Sequence, residues 1–141
     1  MPIKRSPDQE NQTLEEFYNK FLETGTNQYV DIAKKMLALI EIINQTFKET
    51  QLWGLTSHTR LIIQSEDSSE SKGFVIIENV GTDDFYFSYL MPVDKRPWEG
   101  ARVQGQAESI REARSFMLIA MKESEGWPGN IELEKLMREM E

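Results

Sequence analysis

The sequence predicts an α+β domain: a three-stranded antiparallel meander with helices packed on one face, in the order ααβββαα. Three observations carry this. Strand-rich material is confined to the middle of the chain, about residues 58–91, and helical periodicity lies on both sides of it. The β-rich runs Phe74–Val80 and Phe85–Met91 flank the turn-forming residues Gly81, Thr82, Asp83 and Asp84, as in a β-hairpin. Short connections between consecutive strands favour antiparallel neighbours.

Residues 1–12 are polar and are expected to form a disordered lead-in; 13–141 read as one domain, long enough to bury its own core. Thr13 and Glu16 have the spacing of a capping box, in which hydroxyl and carboxylate each satisfy a free backbone N–H. The helix they open carries Leu14, Phe17, Phe21 and Leu22 on one face and ends at Gly25. A second helix is expected over about 27–48. Its stripe of Tyr29, Ala33, Met36, Ile40, Ile43 and Phe47 is widened by Val30, Leu37, Leu39 and Ile42. So wide a stripe suits a central core helix, and a homodimer seam along Tyr29–Phe47 is the competing use of it.

His58–Gln64 reads as the first strand, Ser65–Lys72 as an acidic connecting loop, and Phe74–Val80 and Phe85–Met91 as the next two. Alternation sends Phe85, Phe87, Tyr89 and Met91 to one side and Tyr86, Ser88 and Leu90 to the other. The first set is uniformly large and is assigned to the core. On the neighbouring strand Glu78 interrupts the set Phe74, Ile76 and Val80, which leaves its inner face open. Tyr86 and Leu90, with Val75 and Ile77, are candidates for an apolar outer patch. The segment 92–105 is a long loop with a short extra strand allowed around 101–104. Ser109 and Glu112 form another capping box before a helix reaching about Ser124, on which Leu118 falls among Arg111, Arg114 and Lys122. Gly126–Gly129 breaks the chain, and Asn130 caps a last helix bearing Leu133, Leu136, Met137 and Met140.

Composition narrows the function. Without cysteine there is no disulfide, thiolate metal site or cysteine nucleophile, and the single His58 allows no multi-histidine centre. No apolar run approaches the roughly 20 residues that cross a bilayer, so a soluble cytoplasmic protein is expected. A net charge of −8 disfavours nucleic acid and anionic membranes as partners and favours a basic protein. Phosphate-binding glycine patterns and hydrolase or metalloprotease motifs are absent. Asp83 and Asp84 make an incomplete cation site, and no motif supplies His58 with a nucleophile or an orienting carboxylate. No catalytic, metal or cofactor residue is assigned.

The net-positive stretch is 92–105, where Lys95, Arg96 and Arg102 outnumber Asp94 and Glu99. Arginine offers a planar fork to carboxylate or phosphate, and Trp98 offers contact area at little entropic cost. Lys95, Arg96, Trp98 and Arg102, with Tyr86, are therefore the candidate binding residues. The expected function is a non-catalytic protein-binding module (adaptor, inhibitor or chaperone-like). The alternative is a small-molecule or anion-binding domain, with or without catalysis, that uses the 92–105 loop.

Overall fold

A computed structural model of the protein describes residues 1–9, 11–67 and 74–140. The chain runs β1 (Lys4–Arg5), a 3-10 turn (Pro7–Gln9), α1 (Leu14–Thr24), α2 (Asn27–Thr46), β2 (Trp53–Ser57), β3 (Arg60–Gln64), β4 (Phe74–Asn79) and β5 (Phe85–Leu90). A second 3-10 turn (Val93–Lys95), β6 (Arg102–Ala107), α3 (Ile110–Glu123) and α4 (Ile131–Met140) complete it.

The architecture is α+β, but the expected three-stranded meander in the order ααβββαα is replaced by a six-stranded mixed sheet with strand order β1-β2-β3-β4-β5-β6. β1 pairs parallel to β2 and all later pairs are antiparallel. The added strands carry a weaker signal than the others: β1 is two residues long and cationic, and β2 and β6 each have a glycine in their inward set. β2 contains Gly54, which reads as a breaker; here a Cβ on Gly54 would stand 2.7 Å from Leu14 Cδ1 and 3.3 Å from Ile3 Cδ1. The glycine is what lets α1 and the N-terminal segment lie against the sheet. β6, Arg-Val-Gln-Gly-Gln-Ala, extends the short strand allowed at 101–104; it is an edge strand whose inward set is small, Val103, Gly105 and Ala107, and whose outward set, Arg102, Gln104 and Gln106, is exposed. β1 lies in the segment expected to be disordered. Ile3 is buried, and Lys4 and Ser6 donate their N–H groups to the carbonyls of Leu52 and Gly54. Most of the acidic 65–72 loop lies outside the described residues.

Helices cover one face of the sheet. α2 and α3 pack on it, α1 lies beside α2, and α4 lies beside α3. The core joins Met36, Ile40 and Ile43 of α2 to Leu61, Ile63, Val75, Ile77, Phe85 and Phe87 of the sheet, and to Met117 and Met121 of α3. The Thr13 capping box forms as expected, its hydroxyl accepting from Glu16 N and the Glu16 carboxylate accepting from Thr13 N. The α2 stripe is consumed by this core: Ala33, Met36, Ile40, Ile43 and Phe47 are buried, and Tyr29 alone of that row is exposed, stacked on Phe21. No helix among the described residues is long and apolar enough to cross a membrane.

Leu118, set among charged neighbours in the sequence, is fully buried. α3 is wedged between the sheet, α2 and α4, so its dry sector is wider than one amphipathic stripe. Nearby, Glu132 ties α4 to the segment after α2, accepting from Lys48 N at 2.8 Å and Glu49 N at 3.0 Å. Burial pushes the Glu132 carboxyl up, but hydrogen bonds from the Thr50 hydroxyl and from the Lys48, Glu49 and Thr50 backbone outweigh it and hold it below the usual carboxylate value.

Two outcomes follow. Leu118→Ala should lower unfolding free energy by about 2–5 kcal/mol in urea titrations, the cost of a cavity where three elements meet. A carboxylate whose folded pKa is depressed stabilises above its unfolded pKa and ceases to do so as pH falls through the folded one. Glu132→Gln should therefore be less stable than wild type at neutral pH, and the two unfolding curves should converge on acidification below the carboxylate range.

Candidate binding surface

Strand alternation gives the sheet a second face, and among the described residues no helix or strand packs on it. The β3–β4 register sets Ile62 beside Ile76 and Gln64 beside Phe74, and the β4–β5 register sets Ile76 beside Ser88 and Glu78 beside Tyr86. β2 adds Trp53 and Leu55 to the same face, because they lie opposite Gln64 and Ile62. The result is an apolar floor of Trp53, Leu55, Ile62, Phe74, Ile76 and Leu90, each half-buried by its cross-strand neighbours, with Tyr86 beside it. A shallow hollow of about 480 Å³ opens in it around Ile76, Tyr86, Ser88 and Gln104.

Two cationic side chains lie over the aromatic rings of this face. Lys4 lies with its Nζ 5.9 Å from the Trp53 ring centroid, and the Arg102 guanidinium lies 5.7 Å from that of Phe74. Arg102 Nε also donates to Ser88 Oγ at 2.8 Å, and burial lowers its pKa; a guanidinium remains cationic there. Arg60 faces Glu78 across the strands at 3.5 Å. Lys4, Arg60 and Arg102 thus stand over or beside the floor, with Glu78 paired to Arg60, Asp84 held by Gln106, and Glu66 lining the cleft next to Phe74 and Leu90.

The structure separates the five residues singled out in the sequence. Arg102 and Tyr86 lie on the open face. Trp98 stands in the β5–β6 connection with 70% of its surface exposed, where its carbonyl accepts from Ala101 N. Arg96 is half-buried and turns inward, its Nε donating to the Met91 carbonyl at 2.6 Å, so it braces the loop. Lys95 points away to Glu125 at 2.8 Å, and that contact raises its pKa. The four loop residues therefore do not converge on a ligand. The cleft that Arg96 lines, about 920 Å³, is also lined by Glu66, Asp94 and Glu125, which oppose an anionic occupant. Val75 and Ile77, suggested as outward residues, are fully buried, and Phe74, Ile76 and Glu78 take the outer face instead. Glu78 interrupted its set because it lies outside, opposite Arg60.

The paired aspartates and the histidine are placed by local structure. Asp83 is bound by Lys35 at 2.5 Å, and that hydrogen bond holds its carboxyl below the usual value; Asp84 accepts from Gln106 at 3.0 Å. The two carboxylates diverge rather than share a cation. His58, at φ 57°, forms the tight turn between β2 and β3. On the helical side Arg5 lies 4.9 Å from the Phe17 ring centroid and donates to Thr56 Oγ1 at 2.8 Å.

Lys4, Trp53, Leu55, Ile62, Phe74 and Ile76 were not singled out in the sequence. Half-alternation in β3 and β4 was the available signal, and it needed the register to be read. Comparisons with protein-family models, curated proteins and solved structures give no match. The surface is therefore argued from its own chemistry.

The two loop residues should separate in stability measurements. Trp98→Ala should change unfolding free energy by no more than about 0.5 kcal/mol, as an exposed side chain does. Arg96→Ala, which removes a part-buried bond to the Met91 carbonyl, should cost about 1 kcal/mol. Guanidinium unfolding of both variants beside wild type gives the comparison.

Proposed function

We propose that the protein is a non-catalytic protein-binding module whose open sheet face receives the apolar side of an acidic amphipathic helix. One observation carries the reading: an apolar sheet floor that no described element covers, with Lys4 and Arg102 laid over its aromatic rings. Helices are what such a surface already binds on its other side, through the same ridge-and-pleat packing. The size fits. Five paired strands of five or six residues present a flat footprint of about 450 Å². That is close to what one docked helix covers and well short of the roughly 800 Å² per partner of a standard protein interface. Acidic residues flanking the helix would meet Lys4, Arg60 and Arg102, which steer the encounter and fix its direction.

A photo-crosslinking amino acid at Tyr86 in the full chain tests the assignment, with the captured segment sequenced by mass spectrometry. The expected product is an acidic segment with apolar residues at helical spacing, and it should be lost in Ile62→Asp/Ile76→Asp. Those half-exposed substitutions should leave far-UV circular dichroism unchanged. Capture of basic segments, or of nucleic acid, or a crosslink that survives the double substitution would overturn the proposal.

A further inference from the structure

The two ends of the sheet are treated differently. At the β2 end, β1 occupies the carbonyls of Leu52 and Gly54, and the Gln9 side chain closes the rest, its Oε1 accepting from Thr56 N at 2.8 Å and its Nε2 donating to Thr56 O at 2.9 Å. That edge is blunted by a strand of two residues carrying Lys4 and Arg5. At the β6 end nothing comparable is present among the described residues. β6 has six residues, no proline and no lysine, and its one cation, Arg102, is drawn away over Ser88 and Phe74.

The register states which backbone groups are free. Met91 N donates to the carbonyl of its opposite residue, Ala101, so the bonded pairs of this ladder continue through Tyr89 with Val103, Phe87 with Gly105 and Phe85 with Ala107. The N–H and C=O groups of Arg102, Gln104 and Gln106 therefore point off the sheet. These three residues are evenly spaced about Gln104, so the edge is complementary to itself.

We infer that β6 pairs antiparallel with β6 of a second copy about a two-fold axis at Gln104, joining the two sheets into one. Gln104 then faces Gln104 of the second copy, and Arg102 faces Gln106 of the second copy. Every free N–H and C=O of the three residues is paired. On the helical side this register sets Val103, 36% exposed, beside the second copy's Gly105, where the missing side chain opens onto Phe116. An apolar notch of about 200 Å³ lies there between β6 and α3, lined by Tyr89, Val103, Phe116 and the exposed Ile119. On the outer side Arg102 comes opposite the amide that holds Asp84 of the second copy, which offsets part of the repulsion between two chains of net charge −8. Because the axis is perpendicular to the sheet, both open faces lie on the same side. This inference stands on the edge geometry and does not need the helix-binding reading.

Sedimentation equilibrium of the full chain from micromolar to submillimolar concentration tests it. The expected result is reversible association to twice the 16.4 kDa chain mass. Gln104→Pro removes one outward N–H and no bond to β5, so it should sediment as monomer and melt where dilute, dissociated wild type melts. Val103→Glu leaves the backbone intact and serves as the second variant should the proline disturb folding. Amide exchange at Arg102, Gln104 and Gln106 should slow with rising concentration in wild type alone. A wild type that remains monomeric throughout the range, or a dimer that persists in both variants, overturns the inference.

Discussion

The buried amide of Asn79 fixes the register on which the sheet depends. Its Nδ2 donates to the carbonyls of Thr82 and Asp84, each at 2.9 Å, and its Oδ1 accepts from Gly81 N at 2.8 Å. Gly81 supplies the positive φ of 95° that the turn demands. An Asn side chain 1% exposed with its amide groups occupied holds the hairpin in one alignment, because a slip would strand donors and an acceptor in the core. A slip by one residue would also exchange the two faces of β5, sending Phe85 and Phe87 to solvent and Tyr86 and Ser88 under the helices. With the alignment held, the same parity runs from β6 through to the Gly54 and Thr56 groups at the far edge. Which side chains are dry, which backbone groups are free and where the cations lie all descend from it.

What the sequence disclosed follows from where each signal is local. The Thr13 and Ser109 caps, the α2 stripe and the division of β5 into Phe85/Phe87 against Tyr86/Ser88 depend on neighbours a few residues away, and all are found. The strands that escaped notice depend on distant ones. Gly54 looks like a breaker until Leu14 and Ile3 arrive over it. Lys4 and Arg5 look like a solvated tail until β2 offers its carbonyls. Arg96 and Trp98 look alike as recognition residues, and tertiary position decides that one bonds the Met91 carbonyl while the other stands in solvent. Net charge is a sum over the chain and carries no information on which face holds the cations.

The helical layer explains why the other face can remain apolar without being a defect. α2 and α3 already bury inner side chains of β3, β4 and β5 in one apolar core, which stabilises the fold without the outer face. The outer floor is therefore free to vary without unfolding the chain, provided its side chains shield one another. They do so by row: Trp53, Gln64 and Phe74 stand side by side, and Gln64 between them is only 3% exposed. Lys4 and Arg102 extend the shielding, their charged heads standing over the Trp53 and Phe74 rings. The charged heads remain at the surface, so the face is wet at its rim and apolar at its centre, the division found in protein interfaces.

Size then links the face to the β6 edge. One copy offers a projected footprint of about 450 Å², room for a single helix, which makes a small interface. A lone docked helix would accordingly exchange quickly. Two copies joined at β6 would present both floors on one side of a continuous sheet, doubling the ground to about 900 Å². Two helices on one partner, or one helix on each of two linked partners, would then bind with the second event made intramolecular, and avidity would grow without any new contact. The unguarded edge and the uncovered floor are explained together on this geometry. On the proposed pairing, the copy that covers the open edge also brings a second floor to the same side of the sheet.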